Sequence, residues 1–311
     1  MKLLECVPNF SEGQDKTIID KIADAIRNIK GVRLLDIDPG YHANRTVMTF
    51  AGEAHLVSEA AFQAIKTAAT LIDMSSHKGE HPRIGATDVC PLIPISGITM
   101  EETVELSKKL AKRVADELGI PAYLYEMSAS NTERKNLAWL RKGEYEGLKE
   151  KITQRDFIPD YGVPVFNAKS GIAIIGARNF LIAYNVNLKT KDVNIAKEIA
   201  EEIRESGVKG KPGLLPKVKA IGWYIKEFDK VQISMNLVDY KTTPIYVVFE
   251  EILKRAANKG TEVTGSELVG MLPVDALTVC GEFFLKKNHL HHHFPHSDLV
   301  DYAVNYLGLN E

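Results

Sequence analysis

Residues 180–188, Phe-Leu-Ile-Ala-Tyr-Asn-Val-Asn-Leu, open the part of the chain that decides the fold. From Tyr184 to Leu188, apolar side chains alternate with Asn185 and Asn187, and this period of two predicts a strand with one apolar face and one amide-bearing face. Surface strands more often carry Lys, Thr and Glu, so we interpret the amide face as one that meets a ligand or another domain. A wetted outer surface is the alternative.

The segments that follow residue 188 complete a recognisable order of elements. The spacing of apolar residues predicts a helix over 192–205, strands over 218–226 and 231–238, a helix over 244–258 and a strand over 261–264. Together with the strand at 180–188 the order is βαββαβ, which is the split-βαβ or ferredoxin-like unit.

The first half of the chain can be read in the same order with one added helix. The predicted elements are a strand over 3–7, a helix over 18–29, strands over 32–38 and 45–51 joined by a tight Pro39-Gly40 turn, helices over 54–73 and 99–119, and a strand over 121–127. We divide the chain in the stretch rich in Pro and Gly at 159–176, which gives domains 1–178 and 179–311. The predicted fold class is α/β (α+β) with two ferredoxin-like βαββαβ subdomains.

The charge balance argues against nucleic acid and anionic membrane surfaces as partners. Lys and Arg number 39 against 41 acidic residues, so there is no overall basic field to attract nucleic acid or an anionic membrane surface. No window approaches the roughly eighteen apolar residues of a membrane span, and we expect a cytoplasmic protein. Cys6, Cys90 and Cys280 are odd in number and far apart, and we expect buried thiols.

The stretch 79–91, Gly-Glu-His-Pro-Arg-Ile-Gly-Ala-Thr-Asp-Val-Cys-Pro, concentrates groups that can carry chemistry. Its prolines and glycines predict a stiff loop that holds side chains in fixed directions. An imidazole titrates near neutrality and can move a proton, so His81 is the best candidate for catalysis. The alternative is a capped turn in which His81 only bonds the backbone.

Further polar groups are predicted to lie near this loop. Asp36 and Asp38 share one face of a strand, and Asn44 and Arg45 follow across the turn. The alternative, which is the more common role of so short a motif, is a turn-stabilising Asp–Arg pair. Basic groups that could bind a carboxylate or phosphate follow in two loops: Arg178, and Lys209, Lys211 and Lys217.

The histidines near the C-terminus look like a metal site: His289, His291, His292, His293 and His296. No acidic or cysteine ligand is interleaved, and His77 and His81 are separated by Gly79, which disfavours a helical ligand pair. We therefore expect no metal. Nucleotide-binding glycine motifs and a Gly-x-Ser-x-Gly elbow are also missing from the sequence.

Several long motifs, in order along the chain, resemble the glutamate formimidoyltransferase (formiminotransferase) family of folate-dependent enzymes. The matching segments are Glu5-Cys6-Val7-Pro8-Asn9-Phe10-Ser11-Glu12-Gly13, Asn44-Arg45-Thr46, Asp73-Met74-Ser75, residues 77–91, Gly176-Ala177-Arg178, Phe180-Leu181-Ile182-Ala183, Ile221-Gly222-Trp223-Tyr224 and Val269-Gly270. The resemblance covers essentially the whole chain.

The resemblance implies two subdomains with facing sheets and outer helices, a homodimer, and tetrahydrofolate as co-substrate. It implies that His81 is the catalytic histidine, that Asp38 lies in the active site, and that the loop 162–171 contacts folate. In that loop Gly162, Phe166 and Gly171 match the family pattern, whereas the interior departs from it.

The implied reaction moves a formimidoyl group between 5-formimidoyltetrahydrofolate and L-glutamate, giving N-formimidoyl-L-glutamate. His81 would serve as the base. The residues expected to bind or orient the substrates are Asp38, Asn44, Arg45, Glu80, Arg83, Arg178, Asn185 and Asn187. The alternatives are formyl transfer or cyclisation with 5-formyltetrahydrofolate, a non-catalytic folate-binding protein, and a metal hydrolase that uses the C-terminal histidines.

Overall fold

The computed structural model describes residues 1–208, 210–225, 229–290 and 294–309. The chain forms two compact units, Met1–Arg178 and Asn179–Glu311. The strands are β1 (Leu3–Cys6), β2 (Asn9–Phe10), β3 (Val32–Gly40), β4 (Arg45–Glu53), β5 (Thr87–Ser96), β6 (Ala122–Glu126), β7 (Ala173–Ala177), β8 (Ile182–Leu188), β9 (Val218–Ile225), β10 (Lys230–Leu237) and β11 (Val263–Val269). The helices are α1 (Lys16–Arg27), α2 (Ala54–Leu71), α3 (Met100–Leu118), α4 (Leu137–Leu140), α5 (Leu148–Lys151), α6 (Val193–Ile203), α7 (Ile245–Asn258), α8 (Val274–Lys287) and α9 (His296–Leu307).

The sheet of the first unit contains a ferredoxin-like segment with an extension. β3 pairs with β4, β4 with β1 and β2, and both of these with β5, all antiparallel. This is the strand order that a βαββαβ segment produces. β7 and β6 then extend the sheet beyond β5 as parallel neighbours. The predicted ferredoxin-like subdomain is confirmed, with α3 as the added helix, but its fourth strand is β5 and not the predicted strand over 121–127, which is β6 of the extension.

Alternation along β4 separates the core of the first unit from an open face of its sheet. Met48 and Phe50 are fully buried and belong to one apolar cluster with residues of α1 and α2. Arg45, Val47 and Thr49 therefore lie on the other face, because successive side chains of a strand point in opposite directions. That open face carries the polar residues of the candidate site.

The second unit is a ferredoxin-like fold with an additional C-terminal pair of helices. Its sheet order, β11-β8-β10-β9, is the order expected for βαββαβ. Tyr184, Val186 and Ile233 enter a core with residues of α6, α7 and α8. The amide-bearing face predicted for β8 lies opposite these apolar residues.

The predicted turn at Pro39-Gly40 is wrong, because β3 continues through Gly40 and pairs it with Arg45. The chain reverses over residues 41–44, and Asn44 adopts a left-handed conformation with φ of 46°. Asn tolerates this region better than most residues. Pro39 is accommodated because β3 lies at the sheet edge, where a missing N–H removes no essential ladder bond.

The stretch 79–91 is also only partly a loop, because β5 begins at Thr87. Pro91 obscures this strand in the sequence, since proline cannot donate to a ladder. It is tolerated because the neighbouring strand is interrupted at Val7 and Pro8, between the segments that pair β1 and β2 with β5. The carbonyl of Pro91 accepts from the N–H of Val7.

Two elements of the second unit differ from the prediction. β11 runs to Val269 rather than to Thr264, because the sheet accommodates Gly265 through a shift of register. Helix α8 was not predicted, although its buried positions Ala276, Cys280 and Phe284 have helical spacing. Gly281 lets α8 approach α9 closely, since a Cβ there would lie 2.1 Å from the carbonyl oxygen of Leu299.

Candidate active site

The open face of the first sheet brings Asn9, Asp38 and Arg45 together. Asn9 and Asp38 pair with Val47 from its two sides, so all three share one face of the sheet. Arg45 lies two residues before Val47 on the same strand and therefore points to the same side. The predicted convergence of Asp38 and Arg45 follows from this register.

Asn44 fixes the backbone that leads into Arg45. Its side-chain oxygen accepts from the N–H of Gly13 at 2.9 Å, and its side-chain nitrogen donates to the carbonyl of Lys78 at 2.7 Å. Gly13 must be glycine, because a Cβ there would lie 2.6 Å from the backbone nitrogen of Arg45. Both polar groups of the Asn44 side chain are thus engaged in joining the N-terminal motif to the His81 loop.

Arg45 and His81 form the central contact of the site. Nη1 of Arg45 lies 2.7 Å from Nε2 of His81 and 3.0 Å from Oδ1 of Asn9. A guanidinium has no acceptor, so Nε2 must accept this hydrogen bond and the ring proton resides on Nδ1. Nδ1 is buried and faces the backbone carbonyl of Pro82, but no group in the described parts of the chain accepts its proton with good hydrogen-bond geometry.

The surroundings of His81 keep its imidazole neutral. Burial, together with the positive charges of Arg45 and Arg141, lowers its pKa from 6.5 to about 2, and the backbone carbonyl of Pro82 opposes this shift only weakly. A neutral imidazole can accept a proton, whereas an imidazolium cannot. His81 is therefore in the protonation state that a general base requires.

The pKa of Asp38 is shifted in the opposite direction, upward. Burial raises the pKa of its carboxyl group, the nearby charge of Asp36 raises it further, and Arg45 lowers it. Burial lowers the pKa of the Arg45 guanidinium, the charge of Arg141 lowers it further, and the carboxylates of Asp88 and Asp38 counteract these effects. The site therefore holds two arginines and two carboxylates in a poorly hydrated environment.

Asp88 and Arg141 form a buried ion pair that borders this site. Asp88 is completely buried, and its carboxylate accepts from both Nη2 and Nε of Arg141. Oδ1 of Asp88 also accepts from the backbone N–H of Ile84 at 3.1 Å. The pair ties the segment after α4 to the start of β5, close enough to His81 for the charge of Arg141 to act on the imidazole.

Arg83 is the centre of a second polar cluster, and its donors are already engaged. It is buried and donates to Glu144 at 2.9 Å and to both carboxylate oxygens of Glu146 at 2.8 and 2.6 Å. Its Nε donates to Nδ1 of His77 at 3.2 Å. Nε2 of His77 in turn donates to the carbonyl of Asn44, so His77 is a structural histidine.

The loop 162–171 is fastened to the His81 motif at its C-terminal end. Gly171 has φ of 65°, and a Cβ there would lie 2.2 Å from the carbonyl oxygen of Ile84. The N–H of Ala86 donates to the carbonyl of Ser170 at 2.9 Å. Elsewhere in the loop, Gly162 has φ of 88°, and the ring of Phe166 packs on Tyr145 with centroids 5.4 Å apart.

Backbone hydrogen bonds to neighbouring segments position Glu80 and Arg178. Glu80 is exposed, and its backbone N–H donates to the carbonyl of His42. Arg178 follows β7, where its charge lowers the pKa of Glu5 against the stronger effect of burial.

The amide face of the second sheet is a connected network. Nε2 of Gln232 donates to Oδ1 of Asn187 at 2.9 Å and to Glu267 at 3.1 Å, and Asn187 donates to the other oxygen of Glu267 at 3.3 Å. The indole N–H of Trp223 donates to Gln232 at 3.0 Å. Asn185 is buried on the same face, one row along the sheet, opposite Glu267.

The histidine-rich segment near the C-terminus, which the sequence suggested as a metal site, is only partly described. His291, His292 and His293 lie outside the described residues, as does Lys209 of the lysine loop. Within the ranges that are described, no group of His, Cys, Asp or Glu could hold a metal ion. The same ranges contain no helix long and apolar enough to cross a lipid bilayer.

Three residues of the site were missed as candidates in the sequence. Asn9 and Asp88 lie inside the motifs quoted for the family resemblance, so their position in those motifs was an available signal. Arg141 carries no such signal, because it lies 53 residues from Asp88 and only the tertiary fold brings the two together.

The fold and the site define a class of protein: two ferredoxin-like units, with a half-buried neutral imidazole beside a guanidinium on the first. Residues 3–178 match the family model described as the N-terminal subdomain of the formiminotransferase domain, and residues 183–311 match the one described as the formiminotransferase domain. The chain therefore belongs to the formiminotransferase domain family, which confirms the resemblance.

Curated relatives agree with this assignment. The chain is 44% identical to a glutamate formimidoyltransferase of Streptococcus pyogenes, over 94% of this chain and 96% of that protein. It is 45% identical to one of Thermoplasma acidophilum, over 93% and 94%. A formimidoyltransferase-cyclodeaminase of Mus musculus is 46% identical over 99% of this chain and 57% of that protein, so the chain spans little more than half of that relative.

The structural alignment with a solved microcompartment protein from Desulfitobacterium hafniense covers 90% of this chain and 100% of the other. Its TM-score of 0.23 and identity of 9% are too low to support a structural conclusion.

Proposed function

We propose that the chain is a glutamate formimidoyltransferase, which moves a formimidoyl group between 5-formimidoyltetrahydrofolate and L-glutamate. The observation that carries the proposal is the neutral imidazole of His81, whose Nε2 lone pair meets a cationic side chain on a polar sheet face. Relatives of nearly the same length that bear this name support it.

The reaction requires a base because glutamate carries its amine as an ammonium at neutral pH. His81 takes a proton from this nitrogen, whose lone pair then attacks the formimidoyl carbon. Attack leaves the glutamate nitrogen positively charged, and this nitrogen passes its extra proton to the imino nitrogen of the formimidoyl group. The tetrahedral adduct then collapses by breaking the bond to N5 of the folate, and the imidazolium of His81 gives N5 the proton it took from the ammonium. Protons balance, and the reverse reaction uses the same residue with the roles of the nitrogens exchanged.

The charged groups around His81 have separate roles in this proposal. Arg45 binds a substrate carboxylate, because guanidinium and carboxylate form strong charge-assisted hydrogen bonds. Asp38 offsets the positive charge that the amidine-like formimidoyl group carries. Asn44, Arg83 and the ion pair of Asp88 hold the loop and strand that position these groups.

Replacing His81 by alanine tests the proposal directly. We expect His81→Ala to lower kcat by about 10²- to 10⁴-fold, because general base catalysis typically contributes that factor. The measurement is the release of tetrahydrofolate from 5-formimidoyltetrahydrofolate in the presence of glutamate. His55→Ala is the matched control, since His55 is an exposed histidine on α2, and it should retain activity.

A His81→Ala enzyme with near-normal turnover would exclude the central role of this residue. The same assay with 5-formyltetrahydrofolate as donor tests the related formyl transfer. Binding of reduced folate without transfer from either donor would instead indicate a non-catalytic folate-binding protein.

The family resemblance adds further proposals about the working molecule. We propose that the loop 162–171 contacts tetrahydrofolate, that no metal takes part, and that the enzyme is a cytoplasmic homodimer. Full activity after chelation supports the absence of a metal, whereas sedimentation at the mass of one protomer would contradict the dimer.

A further inference from the structure

Arg45 is a cation with neutral partners. Its recorded hydrogen bonds go to Nε2 of His81 and to the amide oxygen of Asn9. In the part of the chain that the structure describes, no carboxylate lies within ion-pair distance of Arg45. A largely buried guanidinium normally has such a partner, because desolvation of the charge is otherwise uncompensated.

The carboxylates nearest to Arg45 do not fill this role. Asp88 is occupied by Arg141 and by the N–H of Ile84. Asp38 acts on Arg45 only through its charge, from the neighbouring strand β3. The unmatched guanidinium is thus suited to an anion that comes from outside the chain.

The same guanidinium prevents His81 from acting as a base. Because Nη1 donates to Nε2, the only lone pair of the neutral ring is already used. Nδ1 carries the proton and is buried, so it offers no alternative. Proton transfer to His81 therefore requires Arg45 to leave Nε2 first.

We propose that Arg45 exchanges His81 for a carboxylate of the bound substrate, and that this exchange releases Nε2 to act as the base. The inference rests on the proposed function, since it takes the carboxylate to be that of the glutamate acceptor. The Nη1–H group then donates to a carboxylate oxygen, which is the stronger acceptor, and the anion neutralises a charge that had disfavoured the imidazolium.

The exchange makes the base available only when an acceptor is present. Before binding, His81 faces the positive charges of Arg45 on β4 and Arg141 after α4, while Asp88 on β5 and Asp38 on β3 are the carboxylates that oppose them. After binding, the substrate carboxylate adds a further negative charge that opposes the charges of the two arginines. The basicity of His81 therefore rises at the moment when an ammonium must lose its proton.

The test follows His81 by NMR in the full-length protein labelled with ¹⁵N-histidine. The probe is glutarate, a dicarboxylate that lacks the amine and cannot react, and the His81 signals are identified by their loss in His81→Asn. Without glutarate, we expect the neutral Nδ1–H tautomer throughout pH 5–8. Glutarate should shift the Nε2 resonance of His81 at constant pH in this range, because the hydrogen bond from Arg45 is lost. It should also raise the pKa of His81 by about 1–3 pH units, as expected when an opposite charge approaches.

Variants of Arg45 separate the exchange from a simple binding effect. In Arg45→Met the pKa of His81 should already be raised without glutarate, and glutarate should add no further shift. Arg45→Gln, which retains donors without the charge, should give the same result if the methionine variant does not fold. Arg27→Met is the matched control, because Arg27 pairs with Asp24 at the surface of α1, and it should respond as the wild type does.

Two outcomes would overturn the inference: no change in the His81 signals at high glutarate concentration, or the wild-type response in Arg45→Met. Transfer activity is measured on the same preparations. An active enzyme whose His81 ignores glutarate contradicts the exchange but not the proposed function. An inactive protein whose His81 responds supports the exchange and contradicts the proposed function.

Discussion

Folding changes the chemistry of two histidines that lie four residues apart. His77 bonds Asn44 and Arg83 through its two nitrogens and is part of the framework. His81 accepts a hydrogen bond from Arg45 at Nε2 and remains neutral because burial and nearby positive charge disfavour its protonated form. The sequence marks both residues as candidates, but their partners decide which one can move a proton.

The lowered pKa of His81 predicts an acid-dependent loss of stability. Between pH 6.5 and the folded-state value of about 2, the unfolded chain binds more protons at this residue, so stability falls as the pH falls. His81→Asn removes this contribution. From pH 6.5 to 4.5, its free energy of unfolding should decline less steeply than that of the wild type, by up to about 1.4 kcal/mol per pH unit.

Urea unfolding at a series of pH values measures both slopes. Parallel curves for the wild type and His81→Asn would show that folding does not disfavour the imidazolium.

At the scale of elements, the end of the loop 162–171 and the start of β5 are held by direct backbone contact. Gly85 and Gly171 form an antiparallel bridge, and a Cβ on either would collide with the backbone of the other segment. Side chains reinforce this junction, because Ser11 donates to the carbonyl of Gly85 at 2.7 Å. The proposed folate loop and the His81 motif are thus one structural element.

Two glycines of the same conformation allow this junction to be tested. Gly171 and Gly119 both have φ of 65°, but a Cβ at Gly119 would meet nothing within 4 Å. Gly119→Ala should cost about 1–2 kcal/mol of unfolding free energy from conformational strain alone. Gly171→Ala should cost roughly 1–3 kcal/mol more, because the backbone of Ile84 must also move.

Urea denaturation of the two variants gives the comparison. Equal losses of stability would mean that the close approach at Gly171 is not important for the fold.

At the scale of the whole molecule, each unit has its own apolar core. One cluster includes Phe10, Phe50 and Tyr123, and the other includes Tyr184, Ile233 and Phe284. Each core lies against one sheet and its own helices. Independent cores of this kind normally allow separate folding.

We expect fragments 1–178 and 179–311 each to unfold cooperatively when expressed alone, because the division leaves both cores intact. Near-UV circular dichroism during urea titration measures this. The fragment 1–160 is the control, since it lacks β7, which lies between β5 and β6, and it should lose the cooperative transition. Failure of 1–178 to show one would contradict the proposed boundary.

The sequence predicted the second unit better than the first for a physical reason. Its strands β8 and β10 alternate strictly and its helices α6 and α7 carry clear apolar faces, so local pattern and final structure agree for these elements. In the first unit β5 contains prolines, and its position depends on a break in the neighbouring strand. Such compensation between distant segments leaves no local pattern.

The sequence by itself determined the βαββαβ order, the family, and His81 as the candidate for proton transfer, because periodicity and motifs are local properties. The tertiary structure alone decided that Arg45 donates a hydrogen bond to the imidazole of His81 and that Asp88 pairs with Arg141. It also decided that the donors of Arg83 are already engaged by Glu144, Glu146 and His77. These facts depend on contacts between residues far apart in the chain, and both the pKa and the available donors of a side chain are set by such contacts.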